Sequence, residues 1–121
     1  MMRTRAKICG LTRLQDIQSA VHAGADAIGL VFYPPSPRSV TAEQAKALMQ
    51  HIPAYVQSVG LFVNASADEI LAVLKEVPLD MLQFHGDETA AQCAAIAERA
   101  GRRWYKALQV KPELDVIETI K

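Results

Sequence analysis

A lysine and a cysteine stand two residues apart in the short apolar run Lys7-Ile8-Cys9-Gly10, and they are the residues of this chain best suited to chemistry. A cysteine thiolate is a base and a nucleophile, and a neighbouring cation favours it over the thiol. Lys7 is the candidate cation. In a strand, residues two apart project from one face roughly 7 Å apart, so Lys7 and Cys9 share one side while Ala6 and Ile8 take the other. The run reads as a buried strand ending in a base or nucleophile. Parallel strands buried on both faces are apolar throughout, so this polar pair is an exception. Gly10 behind it lets a ligand or another backbone come close, at the strand end where α/β enzymes keep their chemistry.

Three further groups join the candidate site. Arg38 lies in Tyr33-Pro34-Pro35-Ser36-Pro37-Arg38-Ser39, where three prolines stiffen the connection, and a guanidinium forks naturally onto a carboxylate. His85 ends the run Met81-Leu82-Gln83-Phe84-His85 on the parity of Gln83. Lys106 is a candidate for the same face of a later strand, which would put polar groups on one parity of three strands. Asn64 reads as a turn residue and Asp87 as a helix N-cap. The second cysteine, Cys93, sits among Ala90, Ala91, Ala94 and Ala97 and is expected to pack as a small core hydrophobe.

The elements that must position these groups follow a strict alternation. Strands are expected at 7–10, 27–32, 56–63, 81–85 and 104–108. Between them, Thr12 to Gln15, Thr41 to Gln44 and Ser66 to Glu69 each have the form of a capping box opening a helix. An alanine-rich helix runs to Gly101, and Pro112 to Ile120 looks like the start of another. Gly24, Pro53 and Pro78 stop the first three helices. Strand followed by helix without departure means βαβ units and a parallel sheet. Each unit takes about 25 residues, so eight would need roughly 200, near the lower end of a (β/α)8 barrel. Two architectures fit: a complete open doubly wound sheet of flavodoxin type, or a barrel cut to its first five strands. The clustering of polar groups on one parity favours the barrel.

At 121 residues the chain has the length of one domain, and half of its residues are hydrophobic. Thirteen basic residues balance thirteen acidic ones, with no run of like charge to suggest nucleic acid or an anionic membrane. No apolar stretch approaches the roughly 20 residues of a membrane span, and no signal-peptide core is evident, so a cytoplasmic location is expected. The two cysteines form no CxxC or zinc spacing. There is no phosphate-loop Gly-Lys-Ser/Thr and no GxGxxG.

Four blocks of the chain resemble phosphoribosylanthranilate isomerase, the (β/α)8 enzyme of tryptophan biosynthesis. They are Lys7 to Gly10, Gly24 to Phe32 running into Ser36-Pro37-Arg38, Gly60 to Asn64, and Leu82 to Glu88. The resemblance implies an Amadori rearrangement of N-(5-phosphoribosyl)anthranilate to 1-(2-carboxyphenylamino)-1-deoxyribulose 5-phosphate, with no metal or organic cofactor and a small phosphorylated substrate as partner. It makes Cys9 the general base and places Arg38, near the anthranilate, and His85 at the substrate site; Lys7, on the face of Cys9, is the further substrate-binding candidate. The general acid it implies, an aspartate near the end of strand six, and the phosphate-binding loops after strands seven and eight have no counterpart up to Lys121. Little or no isomerase activity is therefore expected of this polypeptide alone. The alternative is a non-catalytic half-barrel or flavodoxin-like domain that self-associates through the exposed edge of its last strand.

Overall fold

The computed structural model describes residues 6–107. Five strands alternate with four helices: β1 (Lys7–Cys9), α1 (Leu14–His22), β2 (Ala27–Val31), α2 (Ala42–Met49), β3 (Gln57–Phe62), α3 (Ala67–Glu76), β4 (Met81–Phe84), α4 (Ala90–Ala100) and β5 (Arg103–Lys106). The expected helix from Pro112 and the last residue of the expected fifth strand, Leu108, lie outside the described residues. No helix among the described residues is long and apolar enough to cross a membrane.

All four strand pairings are parallel, and the sheet order is β1-β2-β3-β4-β5. This order decides between the two architectures. A flavodoxin-type sheet reverses its winding and places strands out of sequence, whereas a barrel adds each strand beside the previous one. The curvature agrees. In a flat sheet, β1 and β4 would lie about 14 Å apart and β1 and β5 about 19 Å apart, at roughly 4.8 Å per strand. Yet the Lys7 ammonium on β1 donates to Gln83 Oε1 on β4 and, at 2.6 Å, to the Tyr105 hydroxyl on β5. The sheet is an arc of a barrel wall curled around these groups.

Register assigns the two faces. Lys7 pairs with Ala27 and Cys9 with Gly29; on the later strands Leu61 pairs with Gln83 and Gln83 with Tyr105. These residues line the concave interior. The opposite parity packs on the helices: Ile28, Leu30, Phe62, Leu82 and Phe84 join Ile17, Ala45, Ile70 and Cys93 in one buried core. Ile17, Ala45 and Ile70 are the anchors of the apolar stripes on α1, α2 and α3, and fully burying an isoleucine contributes about 1.5–3 kcal/mol. At the N-terminal end of the barrel wall the Asp80 carboxylate accepts from the Ser58 amide at 2.8 Å and from its hydroxyl at 3.1 Å, locking the starts of β3 and β4.

Four expectations need correction. β1 is not buried, since Lys7 and Ile8 are exposed: among the described strands it has a single neighbour, β2, so one side of it is open. Thr12 does not cap α1. The N-cap is Arg13, without a side-chain cap, and Asp16 instead turns back to the Arg13 guanidinium at 2.9 Å and 3.0 Å. Asp87 does not cap α4 either. Its amide is engaged by Asn64 Oδ1 at 2.8 Å, and Thr89 with Gln92 forms a full capping box two residues along. Lys106 falls on the parity opposite to Gln83, because β5 starts at Arg103 and Tyr105 takes the interior position. The boxes at Thr41 and Ser66 form as expected.

Candidate active site

Cys9 ends β1 and is half-buried, facing Gly29 on β2. A Cβ at Gly29 would lie 2.8 Å from Cys9 Sγ and 3.2 Å from Cys9 Cα, so only a glycine leaves the thiol where it is. The next residue, Gly10, turns the chain with φ of +82° and lies beneath Arg38: a Cβ there would meet Arg38 Nη1 at 2.6 Å. The guanidinium folds over the strand end and donates from Nη1 to the Cys9 carbonyl at 3.4 Å. Two expected site residues are thus brought together, thiol and guanidinium on one strand terminus.

Arg38 holds this place because its loop is closed on itself. After β2, Val40 donates to the Val31 carbonyl at 2.8 Å and the Tyr33 amide donates to Ser39 Oγ at 3.1 Å, returning the chain to its starting point. The turn between them is fastened by Ser36 and Ser39 amides on the Tyr33 and Ser36 carbonyls. The prolines stiffen a loop that these bonds shape.

Lys7 lies two residues below Cys9 on the same face. Its ammonium donates to Gln83 Oε1 and Tyr105 Oη and stands 5.1 Å from the Tyr105 ring centroid, and the Tyr105 hydroxyl in turn donates to Gln83 Oε1 at 2.9 Å. A cation on β1 is therefore tied to the far side of the arc through a polar triad.

His85 is exposed at the end of β4, with its amide on the Phe62 carbonyl at 2.9 Å. It lines a cleft of about 410 Å³ together with Tyr33, Asn64, Asp87 and Lys106. Cys9 and Arg38 do not line this cleft, but Tyr33 belongs to the same loop as Arg38. The interior face and the strand-end cleft meet along that loop.

Beneath the cleft is a residue to which no role attached from sequence, Glu88. Its side chain is almost wholly buried; Oε2 accepts from the Asn64 amide at 2.9 Å, and Oε1 from the Gly86 amide at 2.9 Å and from Lys106 Nζ at 3.2 Å. Lys106 also donates to the Gly86 carbonyl. Burial pushes the Glu88 carboxyl up, but the hydrogen bonds from backbone amides and Lys106 outweigh it and hold the group below its ordinary pKa. Cys93 behind it is fully buried, and desolvation together with the Glu88 charge pushes its thiol up. Tyr105 was the other group missed. The signal was Trp104, which packs edge-on against Phe84 at 6.0 Å and so fixes the parity of β5.

The chain matches the family model of N-(5'-phosphoribosyl)anthranilate (PRA) isomerase over residues 6–121. It belongs to the PRA isomerase family. Among relatives, the N-(5'-phosphoribosyl)anthranilate isomerase of Acinetobacter calcoaceticus is 70% identical over 120 residues, covering 99% of this chain and 56% of the relative. That of Ralstonia nicotianae is 56% identical over 116 residues, covering 96% and 50%. Among solved structures, the PRA isomerase from Thermotoga maritima superposes with a TM-score of 0.88 at 41% identity, covering 98% of this chain and 57% of that one. A PRA isomerase solved in complex with reduced 1-(o-carboxyphenylamino)-1-deoxyribulose 5-phosphate gives the same score and identity over 98% and 60%. The chain spans about half the length of the curated relatives it matches.

Proposed function

We propose that this chain supplies the first arc of a phosphoribosylanthranilate isomerase. In this reading the assembled enzyme opens the furanose of N-(5-phosphoribosyl)anthranilate to an iminium. Cys9, as thiolate, removes the proton from C2, the C2–H electron pair forms the C1=C2 bond while the C1=N π pair returns to nitrogen, and the resulting enolamine tautomerises to the ketone of 1-(2-carboxyphenylamino)-1-deoxyribulose 5-phosphate. Arg38 receives the anthranilate carboxylate, and His85 and Lys7 contact the sugar side of the substrate.

The observation that carries this reading is the placement of Cys9 Sγ against Gly29 with the Arg38 guanidinium folded over Gly10. A thiol and a guanidinium gathered on one strand end support the roles of base and carboxylate receptor proposed for them. The relative solved with a reduced form of the product supports the same substrate class.

The general acid and the phosphate grip belong, in this reading, to the part of the barrel that the relatives have and these residues do not supply. Positioned proton transfer is worth about 10²- to 10⁴-fold, so the 121-residue polypeptide by itself is expected to be nearly inert. The test follows loss of fluorescence of freshly made phosphoribosylanthranilate, with the chain alone and with the C-terminal segment of a relative added, each with Cys9 intact and as Cys9→Ala. Turnover that needs both the added segment and Cys9 is the expected result. Unimpaired turnover by Cys9→Ala rejects the assignment of the base, and full turnover by the chain alone rejects the division of labour.

A second reading concerns assembly. Among the described residues β1 and β5 each have one strand neighbour, and open strand edges pair with other chains. We infer that the polypeptide self-associates through these edges. A single monomeric species in sedimentation across micromolar to millimolar concentration would reject this.

A further inference from the structure

The mouth of the cleft is built from turns that share one buried carboxylate. Asn64, in the turn after β3, has left-handed backbone with φ of 52°. Its amide is held by Glu88 Oε2, and its side-chain Oδ1 accepts the Asp87 amide at 2.8 Å. Glu88 Oε1 holds the Gly86 amide, next to His85, and the ammonium of Lys106 closes the set from β5 by bonding both Glu88 and the Gly86 carbonyl. The ends of three strands therefore converge on one side chain that does not itself line the His85 cleft.

We propose that Glu88 is a positioning residue of the candidate site, fixing the β3–α3 and β4–α4 turns as one lattice and so holding His85 in place at the mouth of the cleft. What the site binds rests on the isomerase reading; the lattice does not. Every partner of the Glu88 carboxylate is a donor, so the site needs an acceptor on both oxygens. A glutamine of nearly the same shape would present an NH₂ group either to the Asn64 amide or to the Gly86 amide and Lys106, and both orientations set donor against donor. A carboxylate that is ionised, buried and fully bonded is the group that fits.

Amide hydrogen exchange read by NMR on this polypeptide separates positioning from general support. In Glu88→Gln and Glu88→Ala the amides of Asn64, Gly86 and Asp87 are expected to exchange at least about tenfold faster, an opening energy lower by about 1.4 kcal/mol. The His85 ring resonances are expected to shift with them. The amides of Ser58 and Asp80, tied to one another at the opposite end of the same strands, serve as internal reference and are expected to keep their protection. Lys106→Met should produce the same local pattern in weaker form. Unchanged exchange at Asn64 and Gly86 overturns the proposal, and so does equal acceleration at Ser58 and Asp80, which would make Glu88 a general stabiliser.

In the complemented turnover assay, Glu88→Gln is expected to lower kcat/KM by about 10- to 100-fold through misplacement of the site. If no preparation turns over even with Glu88 intact, the isomerase reading fails, while the exchange pattern still decides the lattice.

Discussion

The ammonium of Lys7 and the hydroxyl of Tyr105 lie 2.6 Å apart although their strands stand at opposite ends of a five-stranded sheet. That contact is geometrically impossible in a flat sheet and natural in a curled one. It is the most compact statement of the fold, and it can be measured. A double-mutant cycle of Lys7→Met and Tyr105→Phe in urea denaturation is expected to show a coupling of about 1 kcal/mol, the usual worth of a hydrogen bond that is partly open to water. Additive effects would mean that the arc is more open in solution.

Gly29 sets the seat of the Cys9 thiol. Gly29→Ala would place a methyl group 2.8 Å from Cys9 Sγ and 3.2 Å from Cys9 Cα. Because one of these is backbone, the strain cannot be relieved by a rotamer change alone. The expected cost is about 1–3 kcal/mol of stability, the range for overpacking, together with an altered rate of modification of Cys9 by a thiol reagent. Cys93, fully buried, should stay unlabelled until the chain is unfolded. An unchanged Cys9 rate in a folded Gly29→Ala variant would show that the neighbouring strand does not set the thiol's position.

The caps give a paired prediction. Thr89→Ala removes the hydroxyl that accepts the Gln92 amide at 3.1 Å and should cost about 1 kcal/mol. Thr12→Ala, at a site of the same sequence form but with the helix starting one residue later, should change the urea midpoint by almost nothing. Equal losses at the two positions would contradict the N-terminus of α1 described above.

Glu88 links stability to pH. Its carboxyl is held below the ordinary glutamate value in the folded chain, so its contribution is fully present above the unfolded pKa and is lost as pH falls through the lower folded value. The charged and titratable groups facing it are Lys106 from β5 and the Cys93 thiol from α4. The Cys93 thiol, pushed up by its burial, keeps its proton throughout the acid range. The stability gap between the parent chain and Glu88→Gln should therefore be largest near neutrality and shrink on acidification from about pH 7 to about pH 3. A gap independent of pH would show that the carboxylate charge is not what the lattice uses.

By itself, the amino-acid order determined the alternation of strands and helices, two of the capping boxes, the burial of Cys93 and the pairing of Cys9 with Lys7 on one face. These follow from periodicity and local hydrogen bonding, which act over a few residues and leave their mark within a few residues. The strand order, the curl that joins Lys7 to Gln83 and Tyr105, the seat of Cys9 on Gly29 and the convergence of Asn64, Gly86 and Lys106 on Glu88 were decided by the tertiary structure. Each depends on at least one contact between groups 18 to 98 positions apart in the chain. The parity of β5 shows why: a one-residue change in where a strand begins exchanges its two faces, and only packing against Phe84 and pairing with β4 specify that Trp104 turns to the helices and Tyr105 to the interior.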